Sequence, residues 1–174
     1  MELDKLPPLS QIIREYGLLG HKKFSKSLGQ NFLLDPSITD RIVHYAGPLR
    51  NVAVIEVGPG PGGLTRSILK HSPYHLYAIE KDRYCIKALN SLVEASQGTL
   101  TVLEEDALKI VPQKLTPLPL KIIANLPYNV GTQLLLGWLR DLERIQSLTL
   151  MFQREVALRI GAEAGETDYG RLSV

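Results

Sequence analysis

One cysteine, almost no excess of either charge, no internal repeat and no long apolar run: these are what the 174-residue sequence has least of. Cys85 has no partner for an internal disulfide, and its place in the helix-like stretch KDRYCIKALNSLVEA makes it a buried structural thiol with no chemistry assigned to it. Nothing approaches the roughly eighteen consecutive apolar residues of a membrane-spanning helix. The opening MELDKLPPLSQ, acidic and broken by proline, does not read as a basic-then-apolar leader. A cytosolic location is expected. Lys and Arg number 20 against 18 Asp and Glu, a net +2, too balanced for overall charge to announce a nucleic-acid binder. Without repeats, low-complexity tracts or a Pro/Gly-rich linker, the chain reads as one continuous domain, and no metal ligands are assigned.

What is present is ordinary in amount and informative in position. Hydrophobic residues make up 44% and charged residues 22%, the balance of a soluble globular domain with a sizeable core. Between Leu19 and Gln30, LGHKKFSKSLGQ carries Lys22, Lys23 and Lys26 with no acid, so an arm over residues 1–34 could neutralise phosphates. Taken alone, a short charge run of this kind reads first as a solvated surface loop.

The segment LDPSITDRIVHYAG predicts a helix with Asp35 as N-cap and Pro36 at its first position, closed by Gly47-Pro48, with Ile38, Ile42, Val43 and Tyr45 on one face. Beyond it, strand-like runs alternate with helical ones: VAVIEV, GGLTRSILKHS, HLYAIE, DRYCIKALNSLVEA, LTVLEE, then LKIIA, VGTQLLLGWLRDL, SLTLMF and REVALRIGA. Strands alternating with helices, each strand nearly continuous in apolar residues, predict an α/β fold: a mostly parallel sheet with helices on both faces. Ligands of such sheets sit at the carboxyl ends of the strands, near the point where strand order reverses. The final RLSV of DYGRLSV is expected to open another strand.

Four of those strand ends carry polar chemistry. EVGPGPGG, residues 56–63, places Gly58, Gly60 and Gly63 in G-x-G-x-x-G spacing between a strand and a helix, where glycine lets backbone approach a ligand and the helix start offers unpaired amides. That spacing alone admits a dinucleotide or a nucleoside-sulfonium ligand. Glu56 beside it favours a positively charged sulfonium or amino group over a pyrophosphate. Glu80, 22 residues after Gly58, can take ribose hydroxyls of either kind of adenosine ligand. Asp106, with Glu104 and Glu105 next to it, can accept from an adenine amine, and spacing does not choose among the three acids. The fourth end, Asn125-Leu126-Pro127-Tyr128, combines an amide oxygen, a residue that withholds its N–H while neighbouring carbonyls stay free to accept, and a ring on which an extruded base can stack. Acceptors that draw the hydrogens of a conjugated amine out of plane raise lone-pair character on its nitrogen.

Taken together, KSLGQNFLLD, EVGPGPGGLT, AIEKD, EEDAL, NLPYNV, MFQREVALRI and YGRLSV resemble, in order and spacing, the S-adenosylmethionine-dependent ribosomal RNA adenine N6-dimethyltransferases of the KsgA type. The resemblance implies a Rossmann-like class I methyltransferase fold acting on two adjacent adenosines in the 3′-terminal hairpin of small-subunit (16S) rRNA, with the immature 30S particle as partner and the protein as a monomer. It implies that Asn31 and Leu33 touch the methionine end of the cofactor, Gly58 and Gly60 form its backbone-contact loop, Glu80 takes the ribose hydroxyls and Asp106 with Ala107 the adenine, with Lys81 and Asn125 also among the cofactor-binding residues. Asn125, Leu126, Pro127 and Tyr128 would hold and stack the target base. The family continues into a small helical C-terminal domain that this sequence would lack, so the expectation for residues 1–174 is a cofactor-binding catalytic core with activity on ribosomal particles reduced or lost. Two alternatives stand beside this reading: the antibiotic-resistance branch, which modifies a large-subunit adenosine, and an NAD-dependent oxidoreductase built on the glycine loop and Glu80.

Overall fold

The computed structural model describes residues 3–18 and 32–174; Asn31 and the lysines at 22, 23 and 26 lie outside the described residues. After a short 3-10 turn at Leu3–Lys5 come α1 (Leu9–Glu15) and α2 (Pro36–Ala46), then strands and helices that alternate except between the third and fourth strands, where two 3-10 turns replace the helix. In chain order the strands and helices are β1 (Ala53–Val57), α3 (Gly63–Lys70), β2 (His75–Glu80), α4 (Arg83–Ala95), β3 (Leu100–Glu104), β4 (Leu120–Asn125), α5 (Gly131–Leu139), β5 (Ile145–Met151) and α6 (Arg154–Gly161). All strand pairs are parallel, in the order β3-β2-β1-β4-β5. The chain works outward from β1 through β2 to β3, then jumps back to lay β4 on the other side. Strand order therefore reverses between β1 and β4, and a crevice opens at their carboxyl ends.

The two faces of the sheet are covered by different apolar sets. Val54 of β1 joins Val43 of α2, Ile68 of α3 and Leu89 of α4 on one face, while Ala53, Ile55 and Val57 join Leu134 and Trp138 of α5 on the other. That is the period-two alternation of a strand buried on both sides. Cys85 is buried with Ala88 against Ile12, Ile13 and Leu18, so α1 docks on α4 and the thiol fills space between them, as expected of a structural cysteine. Burial, with Glu80 and Asp82 nearby, pushes that thiol upward, away from the reactive thiolate form.

Two expectations need correction. The caps of α2 are as anticipated, with Asp35 accepting from Ser37 N and Gly47 at φ +70°, but its inward face is Thr39, Val43 and Ala46. Ile38 is 45% and Tyr45 73% exposed. The reason is polar: Thr39 Oγ1 lies 2.8 Å from Ser67 Oγ and 3.1 Å from the Pro36 carbonyl, the two acceptors for its proton, while Ser67 donates its own proton to Asp40 at 2.5 Å, so a satisfied hydroxyl takes the buried position. At the other end, residues 171–173 form a turn rather than a strand. Ser173 N bonds to Gly170 O and Ser173 Oγ to Arg159 O, so local partners and α6 satisfy groups that a strand would offer to a neighbour. Among the described residues no helix is long and apolar enough to cross a membrane.

Candidate active site

The glycine loop after β1 is shaped by what presses on it. Gly60 has φ +56°, and a Cβ there would stand 2.9 Å from two ring atoms of Phe32, so the returning N-terminal segment lies directly on the loop. At Gly63, the first residue of α3, a Cβ would come within 2.1 Å of the Leu33 carbonyl oxygen. Only glycine permits that backbone approach. The third glycine of the motif therefore serves to seat residues 32–33 against the helix start.

Across the loop, Glu80 closes β2 and is 5% exposed. Its carboxylate accepts from Gly60 N at 3.2 Å, Lys81 N at 2.9 Å and Asp82 N at 3.0 Å. Burial raises its carboxyl above the ordinary range, opposed by those three backbone donors. A carboxylate has about four lone-pair positions, so three bonds leave about one, on Oε2, for a ligand hydroxyl. Two hydroxyls would have to share it or displace the long Gly60 bond.

The structure separates the three acids that spacing left equivalent. Glu104 turns away to Arg83 Nε at 2.6 Å, outside the cleft. Glu105 and Asp106 both line the cleft. Glu105 Oε1 accepts from Asp106 N and meets Lys109 at 3.5 Å, and these contacts hold its carboxyl below the usual range. Asp106 Oδ1 caps the 3-10 turn Ala107–Lys109 by accepting from Leu108 N. Its side chain is thereby oriented at the wall that Ala107 continues.

Asn125 ends β4, directly beside β1, and its residue lines both the cleft and a smaller hollow next to it. The Pro127 ring lies 3.8 Å from where a Gly58 Cβ would be, so the NLPY and glycine loops touch across the reversal point. Among the carbonyls around Pro127, its own accepts from Val130 N and Gly131 N and is committed to the turn that starts α5; that part of the sequence expectation is corrected. Among the turn and loop bonds of the described residues, no backbone N–H donates to the Leu126 carbonyl. Tyr128 is 49% exposed at the rim, which removes the possibility that its ring is core. Gly131, buried behind it, packs against Leu126 and the ring of Phe152, an aromatic not singled out in the sequence.

The result is an open cleft of about 700 Å³ into which Gly58, Gly60, Glu80, Lys81, Asp106, Ala107 and all of Asn125 to Tyr128 converge. Leu33 is not on this cleft. It borders the adjoining hollow of about 280 Å³, together with Glu56 and Gly63. Phe32 borders both and was missed because a single aromatic between polar and apolar neighbours carries no signal. One end of the cleft offers carboxylates and the other an amide, a carbonyl and a ring, with backbone amides of the glycine loop between. That set fits an adenosine-bearing ligand and an amine-bearing base, and leaves no requirement for a strong general base.

Residues 21–174 match the family described as Ribosomal RNA adenine dimethylase. Among curated relatives, the chain is 52% identical over 177 residues to a protein named Ribosomal RNA small subunit methyltransferase A from Rhizobium meliloti (strain 1021), covering 99% of this chain and 62% of the relative. It is 53% identical to the protein of the same name from Sinorhizobium fredii (strain NBRC 101917 / NGR234), covering 99% and 58%. The chain thus spans about 60% of the length of these relatives. Similar solved structures include a dimethyladenosine transferase from Plasmodium falciparum, at TM-score 0.67 and 29% identity, covering 83% of this chain and 51% of that one. Another is the 23S rRNA methyltransferase ErmE, at TM-score 0.63 and 27% identity, covering 74% and 50%.

Proposed function

Because the chain belongs to the ribosomal RNA adenine dimethylase family, we propose that it is the catalytic domain, with residues 1–34 as its arm, for S-adenosylmethionine-dependent dimethylation of the N6 amines of two adjacent adenosines. Their place is the 3′-terminal hairpin of 16S rRNA. The observation that carries this is the meeting of the Asn125 end of β4 with the glycine loop at the strand-order reversal, opposite Glu80 and Asp106 on one cleft. The partner is the immature small subunit, met in the cytoplasm by a monomer. Names borne by relatives at 52% and 53% identity favour the small-subunit target over the large-subunit one, whose representative stands at 27%. Membership in the family also leaves the nicotinamide reading without support.

When bound, the cofactor supplies an electrophilic methyl on a sulfonium. The chain's own residues do the rest by position. Glu80 takes a ribose hydroxyl on its remaining lone pair, and Asp106 with Ala107 borders the adenine. Asn125 Oδ1 and the Leu126 carbonyl accept the two hydrogens of the target N6 and turn its lone pair toward the methyl. Tyr128 offers a stacking face at the rim. The methylated amine is acidic enough to lose its proton to solvent, so positioning and burial of charge carry the rate.

Transfer of labelled methyl from S-adenosylmethionine to undermethylated small subunits, compared with large subunits, tests the proposal in this chain and in a version as long as its relatives. Labelling confined to large subunits would reassign the substrate. Tight binding of NAD, with none of S-adenosylmethionine, would end the reading altogether. Glu80→Ala is expected to weaken S-adenosylmethionine by about 1.5–3 kcal/mol in calorimetry, the effect of losing a charged acceptor; unchanged affinity removes Glu80 from the site. Tyr128→Ala is expected to lower methylation by about 1–3 kcal/mol in kcat/KM while sparing cofactor affinity. An equal loss of both would make the ring structural.

A further inference from the structure

The cleft does not end at Tyr128. An open groove of about 1380 Å³ runs on from it, between helix α5 and the 3-10 turns Ala107–Lys109 and Pro112–Lys114, and Ala107 and Leu134 line both. Three bonds brace its far wall. Arg144 donates from Nη1 to the Thr116 carbonyl at 2.9 Å and from Nη2 to the Gln113 carbonyl at 3.0 Å, and Gln113 Nε2 donates to the Asp141 carbonyl at 2.6 Å. The groove is thus formed without an occupant, and its chemistry is selective. Leu108, Val111 and Leu136 gather exposed apolar surface along it. Among the described residues that line it there is one cation, Arg140, and one anion, Asp141. A nucleic-acid backbone needs several cations, so the phosphates run outside. The remaining polar capacity lies in primary amides, which both donate and accept. Gln113 is spent on the wall, which leaves Asn129 and Gln133.

We propose that this groove takes the unpaired nucleotide next to the target, and that the Asn129 amide reads its base as adenine. This rests on the function proposed above and deepens it, because that function gives the target an adenosine neighbour. The placement follows from the RNA chain itself. A base turned into the cleft stays joined to its neighbour, so the neighbouring base comes to rest within one phosphodiester step of the Tyr128 rim. Asn129 follows Tyr128 directly and lines the groove that opens there. Its Oδ1 accepts from the neighbour's N6 and its Nδ2 donates to N7, the bidentate pairing of a primary amide with adenine on an edge that only an unpaired RNA base presents freely. Guanine offers two acceptors at the same edge and leaves Oδ1 facing O6. Leu108 and Val111 cover the face of the base, and Leu136 borders it from α5.

Small subunits reconstituted on unmethylated 16S rRNA, with either of the two adjacent adenosines replaced by guanosine, test this, the methyl being counted at the adenosine that remains. In a version of the chain as long as its relatives, the wild type is expected to lose about five- to a hundredfold in kcat/KM on at least one replacement. Asn129→Ala is expected to start lower on the unreplaced pair and to lose less than about twofold more on replacement, its reader being gone. Gly137 lines the same groove with nothing within 4 Å of a Cβ, so Gly137→Phe fills it from α5. There KM for subunits rises by about tenfold, while kcat and the calorimetric affinity for S-adenosylmethionine hold. Wild-type indifference to guanosine at both positions overturns the inference, as does an equal loss in Asn129→Ala or an unchanged KM in Gly137→Phe. A raised KM in Gly137→Phe with the base preference intact in Asn129→Ala also overturns it, since the groove then holds a protein of the particle. In each of these cases the wild type still methylates small subunits, whereas no methylation by the wild type defeats the proposed function and this inference together.

Discussion

Asn125→Ala is expected to slow methyl transfer by about a hundred- to a thousandfold, the usual effect of removing one preorganised polar group aimed at the reacting atom. Cofactor affinity should change only a few-fold, because the substitution leaves the backbone at this position in place. The argument is one of placement. Asn125 is the last residue of β4, the strand laid next to β1 after the order reverses, so the residue lines the cleft beside the glycine loop, with its backbone oxygen 4.0 Å from where a Gly58 Cβ would be. Pro127 then locks the following turn against Gly58. Single-turnover methylation of small subunits measures the loss; a variant retaining more than a tenth of the wild-type rate would take the amide out of the reaction.

Gly63→Ala should cause the second large effect, and for a different reason. Its new Cβ would fall 2.1 Å from the Leu33 carbonyl oxygen and 3.2 Å from Leu9 Cδ2. Neither the first turn of α3 nor the extended backbone at Leu33 has a flexible end to move aside, so one element must lift off the other. Overpacking of this kind costs about 2 kcal/mol, a melting shift of roughly 4–8 °C for a domain this size. Displacing residues 32–33 also removes Phe32 from Gly60 and Leu33 from the hollow, and S-adenosylmethionine affinity should drop about tenfold or more, a loss of roughly 1.4 kcal/mol. Gly137→Ala is the control, since nothing lies within 4 Å of a Cβ there and alanine favours the exposed helix by up to about 1 kcal/mol. Melting and calorimetry that ranked the two variants alike would refute the seating role of Gly63.

The comparison of α2 with the strands shows where local pattern stops being informative. β1, β2 and β4 were legible because a strand buried on both faces needs nearly every residue apolar, whatever its neighbours are. An amphipathic helix offers competing faces instead. In α2 the apolar Ile38 and Tyr45 lost to Thr39, whose hydroxyl found Ser67 across the packing interface 28 residues away. The acids after β3 behave the same way: three neighbours in sequence were sent to Arg83, Lys109 and the 3-10 turn by groups that the chain brings in from elsewhere or folds locally around them.

By itself the sequence determined the alternation of strands and helices, the caps of α2, and the residue types at each strand end, because periodicity, turn chemistry and capping act within a few positions along the chain. Only the tertiary structure decided that Glu56 is buried at the edge of the smaller hollow, that Phe32 and Leu33 close over the glycines, that the Pro127 carbonyl is spent on a turn, and that Asn125 borders two cavities at once. Those outcomes depend on which strand lies beside which, and on the distances at which backbones cross, quantities set when the crossovers pack and written in no single stretch of residues.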